Sequence, residues 1–88
     1  MKLKIEMDVN RDESGGPSTV NVIQFSAEQD NGSTIVGGGS WYTIKHGVDP
    51  GDQHFYEVFH DGGCVASAKN FEEALGAILV NQIDIFEA

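Results

Sequence analysis

The fold is decided within residues 54–82, HFYEVFHDGGCVASAKNFEEALGAILVNQ. Along this stretch the spacing of the hydrophobic residues changes from that of strands to that of a helix. His54–His60 and Cys64–Ala68 flank Asp61-Gly62-Gly63, a pattern that is typical of two strands joined by a tight turn. From Phe71 to Gln82 the apolar residues recur every three or four positions, which is the spacing of a helix. The stretch therefore predicts a hairpin followed by a helix that lies against the sheet.

The helix has a start signal in the sequence. Asn70 precedes Glu73 by three residues, the pattern of a capping box. In this motif the Asn side chain accepts an amide hydrogen of the first turn, and the Glu side chain reaches back to the amide of the cap residue. The stripe predicted to face the sheet consists of Phe71, Ala74, Leu75, Ile78, Leu79 and Gln82. After it, Ile83–Glu87 returns to alternation, which predicts a short strand or a packed tail.

The first half of the chain predicts further antiparallel strands. Residues 2–9 alternate charged and apolar side chains, and the polar loop Asn10–Ser18 separates them from a second strand at Thr19–Glu28. The apolar parity changes within that second strand, which predicts a β-bulge near Val22. Asp30-Asn31-Gly32 then predicts a hairpin with a type I′ turn.

A third strand starts at about Ser33, but Gly37-Gly38-Gly39-Ser40 interrupts its apolar pattern. We interpret the interruption as a bulge or a flexible bend, because glycine weakens a strand and often marks a close approach of two backbones. The turn at Gly47–Asp52 places Pro50 where a turn prefers proline and Gly51 where positive φ is needed. It leads into the strand at His54–His60.

This order of elements predicts one α+β domain over residues 1–88. Its fold would be an antiparallel sheet of about five strands with one C-terminal helix packed on one face. The predicted core consists of Leu3, Ile5, Ile23, Phe25, Leu75, Ile78 and Leu79.

Length and charge exclude several functions. The chain has 88 residues, which suit a single domain, and fourteen Asp and Glu against five Lys and Arg give a net charge of −9. Such a charge repels phosphate backbones and anionic lipid headgroups, so direct nucleic-acid or membrane binding is not expected. One cysteine and an N-terminus without an apolar run predict a soluble, unexported protein of the cytoplasm.

One local set of residues has metal-binding chemistry. His46, Asp49, Asp52 and His54 combine imidazole with carboxylate, which suits zinc or manganese. The spacing matches no closed ligand set, however, and Asp-Pro-Gly-Asp is also a favourable turn sequence. We therefore assign no metal and no cofactor.

No catalytic motif is evident either. Cys64 follows His60 by four residues, but the sequence offers no third group to orient a thiol–imidazole pair, so a small buried side chain is the better interpretation of Cys64. The glycines of Gly37–Ser40 lack the strand-to-helix context of a phosphate loop. The chain is predicted to be non-enzymatic.

The acidic residues instead predict a binding function. They occur in small sets with too few cations to pair them, and such a field complements a basic protein groove that normally holds nucleic acid. Trp41 and Tyr42 supply rings that a partner could clamp, and we expect the glycines before them to stay mobile until a partner orders them. The predicted partner-binding residues are Asp12, Glu13, Glu28, Asp30, Trp41, Tyr42, Asp49 and Asp52.

The acidic sets and the strand–turn–strand–capped-helix segment Phe55–Leu75 make the chain resemble the small acidic phage-encoded inhibitors of bacterial defence, including anti-CRISPR proteins. The resemblance concerns overall character along the chain and transfers no individual residue role. It implies a non-enzymatic inhibitor in the host cytoplasm. Its partner would be a CRISPR effector subunit or another protein that handles nucleic acid.

A second class of function stays open at this point. Edge strands display unpaired amides and carbonyls, so Ile83–Glu87 could pair with its copy in a second chain and form a homodimer. The chain would then be a self-associating interaction module of housekeeping or toxin–antitoxin type.

Overall fold

The computed structural model describes residues 2–87, except for the side chains of Leu3, Phe86 and Glu87. This part of the chain forms six strands and one helix, which confirms the predicted α+β fold with an antiparallel sheet and a C-terminal helix. The elements are β1 (Lys2–Asn10), β2 (Ser18–Glu28), β3 (Thr34–Gly37), β4 (Ser40–Val48), β5 (His54–His60), β6 (Gly63–Ala68) and α1 (Phe71–Glu87).

The sheet is organised around the long strand β2. β1 pairs with one edge of β2, while two strands share its other edge: β4 lies beside Ser18–Val22 and β3 lies beside Phe25–Glu28. β5 and β6 extend the sheet outward from β4, and every pairing is antiparallel. The molecule is consequently elongated, with extents of 48 × 21 × 21 Å.

β2 carries the bulge that its change of parity predicts. Val22 pairs with Met7 and Gln24 pairs with Glu6, which leaves Ile23 as the extra residue. The extra residue shifts the alternation of side-chain directions by one position. The apolar residues on either side of it, although they differ in parity, can therefore all face the helix. Ile23 itself is 48% exposed, and the prediction that it belongs to the core was wrong.

Gly38 and Gly39 lie directly opposite this bulge, between β3 and β4. Gly39 has a φ of 75° and donates its amide hydrogen to the carbonyl of Val22 at 2.8 Å. A Cβ atom on Gly38 would collide with the carbonyl oxygen of Ile23 and lie 3.2 Å from its carbonyl carbon. In the structure the run is a close approach of two backbones, which is the alternative to the expected mobile segment.

The β2–β3 loop is a three-residue loop. Gln29 donates to the carbonyl of Ser33 at 2.8 Å, Gly32 donates to the carbonyl of Gln29 at 3.0 Å, and Gly32 has a φ of 86°. Asn31 does not have positive φ, so the type I′ prediction was wrong. The loop is a type I turn closed by a glycine in the left-handed region.

The β4–β5 loop repeats this design. Asp49 donates to the carbonyl of Gln53 and accepts from the amide of Asp52, both at 3.0 Å. Asp52 occupies the left-handed position with a φ of 61°, whereas Gly51 does not have positive φ. The predicted placement of positive φ at Gly51 was therefore wrong by one residue.

Exchanging the residues at the left-handed positions of the two loops should change stability in opposite directions. Asp52→Gly is expected to raise the free energy of unfolding by about 0.5–1 kcal/mol, because glycine adopts positive φ without a steric cost. Gly32→Asp should lower it by a similar amount. Urea denaturation of both variants measures the two changes, and two changes of the same sign would contradict the shared design.

The helix begins as predicted and continues five residues further. The Asn70 side chain accepts the amide hydrogen of Glu73 at 2.8 Å, while Glu73 reaches back to the amide of Lys69 at 3.0 Å. No glycine or proline follows Gln82 to end the helix, and Ile83 packs against the core. The prediction of a strand at Ile83–Glu87, and with it of edge-strand pairing between two chains through this segment, was wrong. Of the alternative, a packed tail, the structure confirms that Ile83 packs against the core, as part of the helix.

The core lies between α1 and the sheet face that α1 covers. Of the predicted core residues, Phe25 and Ile78 are fully buried, Ile5, Leu75 and Leu79 are partly buried, and the Leu3 side chain lies outside the described residues. Three other residues with almost no exposure pack along the sheet face: Val20, Ile44 and Val58. The buried cluster consists of Val20, Val22, Phe25, Ala27, Tyr42, Ile44, Val58, Ala68, Phe71, Ala74 and Ile78.

Candidate functional site

Several carboxylates come together at one end of the sheet. Ser18 pairs with Ile44, so the β1–β2 loop and the β4–β5 loop lie at the same end. The Arg11 guanidinium lies 4.4 Å from the centre of the Phe71 ring, which places the start of α1 there too. We call this region the acidic end, and it contains Asp12, Glu13, Asp49, Asp52, Glu72 and Glu73.

Two of these carboxylates also hold their own loops in shape. Asp12 Oδ1 accepts from the Ser14 hydroxyl at 2.5 Å and from the Ser14 amide at 2.9 Å. These bonds, the hydroxyl first, lower the pKa of Asp12, which keeps its carboxylate charged. Asp49 Oδ1 likewise accepts from the amides of Gly51 at 2.9 Å and Gln53 at 3.0 Å.

The other predicted acidic residues lie at the opposite end. Glu28 ends β2, and Asp30 belongs to the β2–β3 loop. β2 from Ser18 to Glu28 spans about 33 Å at the usual rise of a strand. The six predicted acidic residues therefore form two separate sets, four at the acidic end and two at the far end.

The predicted aromatic anchors separate in a different way. Trp41 and Tyr42 are neighbours on β4, so their side chains point to opposite faces of the sheet. Trp41 is 62% exposed, whereas Tyr42 is 1% exposed and lies beneath α1. Tyr42 is a core residue, and its prediction as a partner-binding residue was wrong.

Tyr42 is tied to the helix by its hydroxyl. The hydroxyl donates to Asn81 Oδ1 at 2.7 Å and accepts from Gln82 Nε2 at 2.5 Å. Burial raises the pKa of Tyr42, because the low-dielectric surroundings disfavour the phenolate; Gln82 opposes this effect and the charge of Asp61 adds to it. This trio fixes the position of α1 along β4.

This raised pKa predicts a loss of stability in alkaline solution. A group with a raised folded-state pKa contributes its stability in full below the unfolded value, about 10 for tyrosine. That contribution is lost as the pH rises through the folded pKa. Urea denaturation from neutral to alkaline pH should therefore show a decline that Tyr42→Phe removes and Tyr56→Phe leaves in place.

At neutral pH, Tyr42→Phe should itself cost about 1–3 kcal/mol, because it leaves the buried amide of Gln82 and the half-buried amide of Asn81 without this partner. An equal alkaline decline in wild type and Tyr42→Phe would show that another group causes it.

The sheet face away from α1 carries exposed aromatic side chains, and we call it the open face. Phe55 covers Gly47, Phe59 pairs with Thr43, and Trp41 has the same parity on β4. The Lys45 ammonium lies 4.6 Å from the centre of the Phe59 ring. A groove of about 320 Å³ lies on this face between Trp41 and Phe59.

A second concavity lies on the helix side at the acidic end. It has a volume of about 240 Å³ and is lined by charged and aromatic side chains, among them Arg11, His46, Tyr56 and Phe71. No local sequence pattern predicts this cleft, because Arg11 and Phe71 are sixty positions apart in the chain and meet only in the folded protein. Beside the cleft, His46 Nε2 lies 2.7 Å from His54 Nδ1.

The two groups considered for catalysis or metal binding do not assemble as such. Among the side chains that the structure describes, no group of three or more His, Cys, Asp or Glu is placed to hold a metal ion. Cys64 pairs with Phe59 and is exposed, while His60 stacks on Tyr42 at 4.4 Å on the helix side. The thiol and the imidazole thus face different sides of the sheet, and the prediction of a buried Cys64 was wrong.

No protein-family model, curated protein or solved structure matches this chain. Among the described residues, no helix has the length and apolar character needed to cross a membrane.

Proposed function

We propose that the protein is a non-enzymatic inhibitor that covers a basic, nucleic-acid-binding surface of a partner protein with its acidic end. The grouping of carboxylates at this end is the observation that carries the proposal. The partner would be a CRISPR effector subunit or another protein that handles nucleic acid in the cytoplasm.

Charge at the acidic end supports this function. Six carboxylates occur there in two loops and the first turn of α1, while the cations nearest to these elements along the chain are Arg11, Lys45 and Lys69. Arg11 lies over the Phe71 ring. Carboxylates at the rim of an interface accelerate association with a basic surface and compete with phosphates for the same Lys and Arg side chains.

The distance between the acidic end and Trp41 fits a single interface. Trp41 and Asp49 are eight residues apart along β4 and its loop, or about 26 Å at the rise of a strand. A standard interface covers about 800 Å² on each partner, a patch of similar width. Trp41 can therefore anchor a partner whose basic groove contacts Glu13 and Asp52.

The proposal is tested with a panel of purified CRISPR effector complexes, each loaded with guide RNA, in a target-DNA binding assay. Stoichiometric addition of the chain should abolish DNA binding by a susceptible complex. Association between chain and effector should weaken as salt rises from about 50 to about 500 mM, because salt screens exposed charges. Binding that does not depend on salt would contradict the electrostatic mechanism.

Self-association is the alternative function, and the exposed rings of the open face favour it. Trp41 and Phe55 are 62% and 37% exposed, and aromatic side chains are common in interface cores. Light scattering of the isolated chain discriminates between the two functions. A stable dimer without affinity for any effector complex would support the interaction module of housekeeping or toxin–antitoxin type.

A further inference from the structure

We propose that the outer edge of β1 is a dimerisation surface, to which β1 of a second copy of this chain binds as an antiparallel strand. This surface is separate from the proposed inhibitory function, because it uses neither the acidic end nor Trp41. It also differs from a contact through the exposed rings of the open face.

β1 leaves one edge of the sheet available to another strand. It is the first strand in the order of the sheet, and among the described residues it pairs only with β2. The extra residue of the bulge, Ile23, belongs to β2, so β1 itself runs regularly from Lys2 to Asn10. The outer amides and carbonyls of such an edge are the groups that a further strand binds.

The side chains of β1 are sorted by face and by sign of charge. Ile5 and Met7 lie on the helix side, where they are half-buried against the core. The other face carries exposed charged side chains, basic in the first half of the strand and acidic in the second half: Lys2, Lys4, Glu6 and Asp8. This order makes the strand complementary to a reversed copy of itself.

Antiparallel pairing centred on Ile5 places opposite charges against each other along this face. With Ile5 opposite Ile5 of the second copy, Lys4 lies opposite Glu6 of that copy, and Lys2 lies opposite its Asp8. Each pair occurs twice, because a contact between identical strands in this arrangement is two-fold symmetric. Opposite charges directly across two strands stabilise their pairing.

The same charges select this register over its neighbours. A shift by one residue would turn charged side chains toward the apolar face of the second copy. A shift by two residues would place Lys4 opposite Lys4, or Glu6 opposite Glu6, and like charges in these positions destabilise the pairing. Lysines on an edge strand normally oppose pairing, but here carboxylates of the same strand offset them.

The neighbouring strand β2 does not supply these opposite charges. Lys4 pairs with Ser26 and Glu6 pairs with Gln24, so both charges meet neutral side chains on that side. The helix leaves room on the other face, since β1 is not among the strands that lie closest to α1. A second copy would therefore supply the missing charges and extend the half-buried row that contains Ile5.

Antiparallel pairing also keeps the most acidic regions of the two copies apart. Each copy has a net charge of −9, so contact between two acidic ends would be repulsive. β1 ends at Asn10, next to the loop that carries Asp12 and Glu13, and the second β1 runs in the opposite direction. The two acidic ends thus point away from each other, and each stays free for a partner.

Sedimentation equilibrium of the untagged full chain at low salt, over a wide range of concentration, tests this surface. Wild type should show an equilibrium between monomer and dimer. Lys4→Glu places a carboxylate opposite Glu6 of the second copy and should raise the dissociation constant of the dimer at least about tenfold. Glu6→Lys should do the same through two facing ammonium groups. Both side chains are exposed, so the fold is retained, which circular dichroism verifies.

An equimolar mixture of Lys4→Glu and Glu6→Lys is the decisive sample. In the mixed dimer each charge again meets its opposite, so dimerisation should return to nearly the wild-type level. Lys69→Glu is the matched control, because it makes the same charge change at an exposed residue outside β1, and it should dimerise as wild type does. A monomeric wild type at every concentration, an unchanged dissociation constant in Lys4→Glu, or no recovery in the mixture would overturn the assignment.

Discussion

Ile78→Ala is expected to lower the free energy of unfolding by about 2–5 kcal/mol. Ile78 is fully buried at the centre of the interface between α1 and the sheet. Removal of its branched side chain loses buried apolar contact and leaves a cavity that the neighbouring strands can only partly fill.

Leu75→Ala is the matched control on the same helix. Leu75 is partly buried, so its truncation should cost clearly less than that of Ile78. Urea denaturation at neutral pH measures both variants. A larger loss for Leu75→Ala would show that the buried stripe of α1 is centred on Leu75 instead.

Gly38→Ala is expected to lower the free energy of unfolding by about 1–3 kcal/mol. The added methyl group would meet the backbone of Ile23 and Gln24, and neither can rotate away as a side chain could. The bulge in β2, or the hydrogen bond from Gly39 to Val22, would have to shift to make room.

Gly76→Ala provides the comparison for this change. Gly76 lies within α1 with nothing near the place of a Cβ, so alanine should raise stability by about 0.5–1 kcal/mol. Thermal denaturation of both variants should give melting temperatures on opposite sides of wild type. An unchanged melting temperature for Gly38→Ala together with altered partner affinity would restore the interpretation of a mobile segment.

Local sequence patterns predicted the elements that depend on neighbouring residues. Alternation and turn residues located the strands, the change of parity located the bulge to within one residue of Ile23, and Asn70 marked the start of α1. Each of these signals lies within a few residues of the feature it predicts. The end of α1 was missed, because the pattern of Ile83–Glu87 also fits a helix that continues from Gln82.

The candidate site could be predicted only in part, because it depends on which strands become neighbours. Sequence shows that Trp41 and Tyr42 face opposite ways, but only the position of α1 determines that Tyr42 is buried. The same limit applies to the acidic residues. Their negative charges are evident in the sequence. The order of the strands, however, determines that Asp12 and Asp49 lie at the same end of the sheet while Glu28 lies at the other.

Equal neutralisation of the two ends tests most directly whether the acidic end inhibits a nucleic-acid-binding partner. Two double variants each remove two negative charges: Glu13→Gln/Asp52→Asn at the acidic end and Glu28→Gln/Asp30→Asn at the far end. The ability of each variant to compete with target DNA for a guide-loaded effector is compared with that of wild type. The variant at the acidic end should associate about tenfold more slowly, while the far-end variant should compete nearly as well as wild type. Equal losses in both variants, or no loss in either, would contradict inhibition through the acidic end.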